Sequence, residues 1–124
     1  TKSISFTNYS SMAANWNNFA VILRKTDKTQ EYAVVRADNY GWGDGYASCK
    51  AIGTQGDWAT WLPTMNGARV DVYVTNCGDG TADVQAVMRG NNGTVYTQGY
   101  YGISNIDVND LNFAFTVDGS YIVF

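Results

Sequence analysis

The sequence predicts an all-β domain: a two-sheet antiparallel β-sandwich of jelly-roll type. Three observations lead there. Glycine is abundant at 13 residues, proline occurs once, and aromatics make up 15% of the chain. This is the palette of pleated strands joined by tight turns. About nine short apolar or alternating segments are separated by turn residues, a spacing typical of sandwiches. Only one stretch has helical periodicity. At 124 residues the chain reads as a single domain, 1–124, long enough to bury a core.

The elements follow in order. Ser3-Ile4-Ser5-Phe6-Thr7 alternates polar and apolar, a first strand. Phe19 to Lys25 is a longer apolar run and reads as a central strand. Glu31 to Arg36 follows a polar turn, so the two predict a hairpin. Asp38 to Gly45 is loop chemistry, and Tyr46 to Ile52 reads as another strand. Gly56 to Met65 predicts a helical turn, with Asp57 as N-cap, Trp58, Trp61 and Leu62 at helical spacing, and Asn66-Gly67 as the stop. Arg69 to Thr75 alternates strictly, with Val70, Val72 and Val74 on one face. Ala82–Arg89 and Thr94–Tyr101 predict a hairpin across Gly90-Asn91-Asn92-Gly93. Asn112–Val117 and Tyr121–Phe124 predict another across Asp118-Gly119.

Charge and composition narrow the function. The net charge is −3, and the 8 basic residues are scattered. A nucleic-acid surface needs a concentrated basic stripe, so nucleic acid is not an expected partner. No apolar run approaches a membrane span, and the start at Thr1 reads as that of either a cut-out piece or a mature module. The chain has no histidine and a single glutamate, Glu31. A histidine-based triad therefore has no base, and a glycosidase pair has few carboxylates outside turns. The expectation is no catalytic residue, no metal and no cofactor. Cys49 and Cys77 are open between free thiols and one disulfide. Asn76, Asp79, Asp83 and the Asp38–Asp44 loop offer oxygen atoms but match no calcium loop.

What the chain has instead is flat aromatic surface. It carries four tryptophans, and Trp58 and Trp61 stand three residues apart beside Gly56-Asp57. Strand alternation expects Tyr73, Gln85, Tyr96, Gln98 and Tyr100 on one surface if the three strands share a sheet. Amides among aromatic rings suit a sugar. The rings stack on the apolar C–H face of a pyranose, and the amides bridge its hydroxyls. Trp16, among asparagines, and Trp42, between two glycines, join the candidates. A tyrosine on a strand face is commonly a packing partner, so the weight lies in the collection.

Several segments carry a resemblance. They are Ser5-Phe6-Thr7-Asn8-Tyr9 with Asn15-Trp16-Asn17-Asn18, the stretch Tyr32 to Gly43, and the tryptophan pair. With them the chain resembles non-catalytic carbohydrate-binding modules of bacterial plant-cell-wall hydrolases, family 65 in particular. The resemblance implies a β-sandwich with a concave cleft of aromatics and glutamines that binds xyloglucan or other β-1,4 or mixed-linkage β-glucans. By residue type and order, Trp16, Trp58, Trp61 and Tyr96 match that cleft. The tryptophan pair is closer together than the family pattern. The implied protein is secreted and extracellular, a monomer, with a catalytic domain attached in the same polypeptide. The expected ligand-binding set is Trp16, Trp42, Trp58, Trp61, Tyr73, Gln85, Tyr96 and Gln98. The competing class is a protein-binding sandwich, an adhesin or scaffold module, because aromatics and arginine also mark protein interfaces.

Overall fold

A computed structural model describes residues 1–10, 18–38, 49–53 and 56–124. Among them the strands are β1 (Lys2–Ser10), β2 (Asn18–Arg24), β3 (Glu31–Arg36), β4 (Cys49–Ala51), β5 (Ala68–Asn76), β6 (Thr81–Arg89), β7 (Val95–Ser104), β8 (Asn112–Asp118) and β9 (Ser120–Val123). One helix, α1, spans Trp58–Met65. The strands form a five-stranded sheet, β7-β6-β5-β1-β9, and a four-stranded sheet, β4-β3-β2-β8. The all-β sandwich expected from the sequence is present.

Period-two alternation builds the core. Val70, Val72 and Val74 of β5 are fully buried, and so are Val84, Ala86 and Met88 beside them on β6. Phe19, Val21 and Leu23 of β2 and Ala33, Val35 and Ala37 at β3 belong to the same buried cluster from the other sheet. Aromatic rings close one side of the core. Phe6 meets Phe19 edge-on at 5.2 Å and Phe115 at 5.5 Å, the geometry that ring quadrupoles favour.

Two expectations about connectivity are corrected. The last two strands do not form a hairpin. β8 pairs with β2 and β9 pairs with β1, in different sheets. Only Gly119 separates them, at φ +64°. One residue is shorter than the two-residue loop of a tight hairpin, so the chain turns a corner between sheets. The second correction is that β3 and β4 pair in parallel, from Val34↔Cys49 to Arg36↔Ala51. Parallel neighbours need a connection of about a dozen residues, which the segment 37–48 supplies.

The helix forms as the sequence predicts. Asp57 has extended backbone and caps it, its carboxylate accepting from the Ala59 N–H at 3.3 Å and the Thr60 hydroxyl at 2.9 Å. Asn66 is the C-cap and Gly67 follows at φ +97°. The last carbonyls find tertiary partners: Thr64 O accepts from the Asn91 N–H at 3.1 Å, and Met65 O from the Asn8 amide at 3.0 Å. The helix is thus held to β1 and to the β6–β7 turn. The fit at that turn is close, since a Cβ on Gly90 would lie 2.4 Å from the Thr64 methyl.

Trp61 and Met65, one helical turn apart, both point inward and are buried. Trp61 packs edge-on against Tyr96 at 5.8 Å. Gly53 lies beneath both rings, where a Cβ would stand 3.0 Å from Tyr96 Cδ1 and 3.2 Å from Trp61 Cη2. Trp61 is therefore a core residue that closes the sandwich at its β7 side. Trp61→Ala is expected to destabilise the domain by about 3–5 kcal/mol, the usual cost of a large aromatic cavity. Urea unfolding of the variant measures it. A loss below about 1 kcal/mol would mean that the ring is not packed in the core.

Candidate functional site

The outer face of the five-stranded sheet is built in cross-strand rows. The register aligns Ser3, Tyr73, Gln85 and Gly99 across β1, β5, β6 and β7. The next row is Ser5, Asp71, Val87 and Thr97, and the one after is Thr7, Arg69, Arg89 and Val95. Tyr73 and Gln85 are thus direct neighbours and exposed, with Tyr73 at 38%. This part of the expected surface is assembled.

Beside Gln85 lies a ring that the sequence reading did not select. A Cβ on Gly99 would lie 3.1 Å from Cε2, Cζ and Oη of Tyr101. The Tyr101 ring therefore leans over the bare glycine, yet it stays 82% exposed. Glycine leaves a hollow on the pleat that a same-face aromatic two residues away can cover. The Gly99-x-Tyr101 spacing was the available signal. Tyr73 and Tyr101 stand on strands two apart in the sheet, about 10 Å by ordinary strand spacing.

Tyr96, Gln98 and Tyr100 do not join this surface, which corrects the expected grouping. Their register partners are Met88, Ala86 and Val84, all buried, so these three face the interior. The physical reason is volume. Valine and alanine on β6 leave space at the sheet edge, and the two tyrosines fill it. Tyr100 is buried and donates its hydroxyl to Val34 O at 2.9 Å, linking the two sheets. Burial pushes its phenol pKa well above the ordinary tyrosine range. Gln98 donates from its amide to its neighbour's carbonyl, Gly99 O, at 3.3 Å. Trp61, expected in the ligand-binding set, is 1% exposed and offers no face to a ligand. Trp16 and Trp42 lie outside the described residues, and so does the side chain of Trp58, which opens α1.

A charged group occupies the middle of the outer face. Asp71 is nearly buried there, although its neighbours along the strand on that face are exposed. Arg89 Nη1 lies 2.8 Å from its Oδ2, Ser5 donates to its Oδ1, and Arg69 Nη2 stands 3.9 Å away. Towards β9 the face sinks into a concavity of about 350 Å³ lined by Ser5, Thr7, Tyr9, Arg69 and Val123, with Phe6 and Phe124. Tyr9 pairs with Tyr121 across β1 and β9, and their rings stack at 5.2 Å and 21°.

A second concavity of about 450 Å³ lies at the loop end, lined by Lys25, Gln30, Tyr32, Asn76, Asn105, Asp107 and Asp110 among others. Its polar groups are largely engaged in turn structure. Asp110 accepts from the Thr26 N–H, Asp107 from the Asn109 N–H and Asn76 from the Gly78 N–H. Asp79 and Asp83, considered as calcium ligands, accept from the Thr81 and Gly102 N–H groups. Among the described residues no three of Asp, Glu, Cys or His gather as a metal site. Cys49 and Cys77 are both unbridged. Comparisons of the chain with protein-family models, with curated proteins and with solved structures return no match.

Arg69 and Arg89 are direct cross-strand neighbours, and like charges so placed repel. Asp71→Asn is expected to cost about 1–2 kcal/mol at low salt, through lost charge-assisted bonds and unmasked repulsion. The deficit should shrink as salt screens the arginines. Urea unfolding of the variant at two ionic strengths checks this, and a deficit that grows with salt would contradict it.

Proposed function

We propose that this domain is a non-catalytic carbohydrate-binding module for β-glucan, of the xyloglucan, β-1,4 or mixed-linkage kind. In a secreted bacterial polypeptide it would hold an attached glycoside hydrolase at its polysaccharide, raising the local concentration of the enzyme. The observation that carries the reading is the row Tyr73–Gln85–Gly99 with the Tyr101 ring over the glycine. Two exposed aromatics flank an exposed amide on a rigid sheet. Rings can stack on the C–H faces of alternate sugars while Gln85 exchanges hydrogen bonds with the hydroxyls of the unit between them. The tyrosines' separation, about two strand spacings, is comparable to the length of a disaccharide.

Three of the turn carboxyls are poorly suited to act as a glycosidase acid. The carboxyls of Asp27, Asp79 and Asp110 are all held below the ordinary range, chiefly by side-chain hydrogen bonds from Thr29, Thr81 and Thr26. A glycosidase acid needs the opposite displacement, upward, so that it carries a proton near neutrality. Asp71 is tied to Arg89 and Ser5.

Tyr73→Ala and Tyr101→Ala are each expected to weaken binding to a soluble β-glucan about tenfold, or about 1.4 kcal/mol, with the thermal midpoint nearly unchanged. Affinity electrophoresis and calorimetry measure this. Normal retardation of both variants, with loss in Trp16→Ala, Trp42→Ala or Trp58→Ala, would move the ligand off this face. No retardation of the native domain by any β-glucan would end the reading. Stacking and neutral hydrogen bonds involve no ion pairs, so β-glucan affinity should hardly change between low and moderate salt. A tenfold change over that range would exclude a neutral ligand held this way.

A further inference from the structure

The arginine corner of the same face does something that a neutral glucan does not require. Asp71 carries one charge, and Arg89 alone can neutralise it at 2.8 Å. Arg69 adds a second guanidinium directly opposite Arg89, an arrangement unfavourable in itself. Its 3.9 Å approach to Asp71 is long, and its side chain is 61% exposed. The group leaves a unit of positive charge, which sits in the wall of the concavity formed with Ser5, Thr7 and Tyr9. Tyr9 lines that concavity and stacks on Tyr121, which is 58% exposed.

We propose that this corner is a subsite for a carboxylate-bearing sugar, a uronic acid unit of an acidic polysaccharide. The proposal rests on the reading of the outer face as a glycan surface and adds a charged substrate class to it. The planar fork of Arg69 presents paired N–H donors that match a carboxylate. The hydroxyls of Ser5 and Thr7 line the same hollow and can meet ring hydroxyls. The tyrosine pair supplies an aromatic flank for the ring's C–H groups. Charge alone would suit any anion. Charge beside hydroxyls and stacked rings suits an acidic sugar. The concavity of about 350 Å³ has the scale of a small-molecule site.

The test uses the whole domain with a galacturonic acid tetramer, its fully methyl-esterified form, a neutral cello-oligosaccharide and an oligo-aspartate peptide, each titrated by calorimetry. The acidic tetramer should bind about tenfold more tightly than its methyl ester, which keeps the rings and loses the charge. Its affinity should fall steeply with salt. Arg69→Gln should lose that preference while keeping the native thermal midpoint, because the side chain is largely exposed. Arg69→Lys should recover only part of it, since an ammonium lacks the planar fork. Equal binding of acid and ester, or an unchanged preference in Arg69→Gln, would overturn the proposal. Oligo-aspartate binding as tightly as the tetramer would overturn it in favour of a surface that reads charge alone. The two readings fail separately. Loss of cello-oligosaccharide binding in Tyr73→Ala without any uronide binding sinks only the acidic subsite. Arg69-dependent uronide binding without cello-oligosaccharide binding sinks only the neutral reading.

Discussion

The burial of Trp61 organises the rest of the molecule. A two-sheet sandwich must close along its open sides, and on the β7 side the closing group is this indole, packed on Tyr96 and over Gly53. To deliver the ring, α1 lies with Trp61 and Met65 inward and is tied down at its end by Asn8 and Asn91. With the ring in place, the inner face of β7 belongs to the core. Tyr96 and Tyr100 then act as packing groups, and Tyr100 spends its hydroxyl on the opposite sheet's Val34 carbonyl. The aromatic surface left to solvent on the five-stranded sheet is its outer face. The location of the candidate site thus follows from how the core is closed.

That outer face is ordered by a second constraint. Asp71 interrupts the exposed positions of β5 by burying a carboxylate on the wet side. A carboxylate withdrawn from water needs charged or hydrogen-bonding partners, and here they are Arg89 and Ser5 from the two flanking strands. The group pins β1, β5 and β6 at one register and divides the face. On one side lie Tyr73, Gln85 and Tyr101, neutral and flat. On the other lie Arg69, the hollow and the stacked tyrosines. The two regions meet different chemistry on one rigid sheet.

Much of this was legible in the sequence, for identifiable reasons. Strict alternation in Arg69–Thr75 fixes which side of β5 is core, because a one-residue slip would expose every valine. Asp57 and Asn66-Gly67 mark the helix ends by capping chemistry that needs no tertiary information. What was not legible depends on partners far away in the chain. Nothing local in Tyr96-Thr97-Gln98-Gly99-Tyr100-Tyr101 says which set of side chains faces inward, since both sets carry tyrosine. The register against Val84, Ala86 and Met88 decides it. Likewise the pattern around Gly119 is that of a hairpin, and only the pairing of β8 with β2 and of β9 with β1 reveals a corner. Local sequence cannot say which ring of the Trp58/Trp61 pair turns inward; the eight-residue helix has one inward stripe, and Trp61 occupies it.

The sheet also explains why so modest a set of groups can serve as a binding surface. Ordering a flexible loop around a ligand costs conformational entropy for each side chain immobilised. Tyr73 and Gln85 stand in mid-strand on β5 and β6, whose backbones are held by ladders on both sides. Tyr101 is in an edge strand, but its ring already rests over Gly99. A tyrosine offers a large face with only two rotatable side-chain bonds. Each stacking contact contributes little by itself, so the surface depends on several rings being in place before the sugar arrives. The row across β5, β6 and β7 meets that condition through backbone register, and the glycine at position 99 meets it through the absence of a side chain.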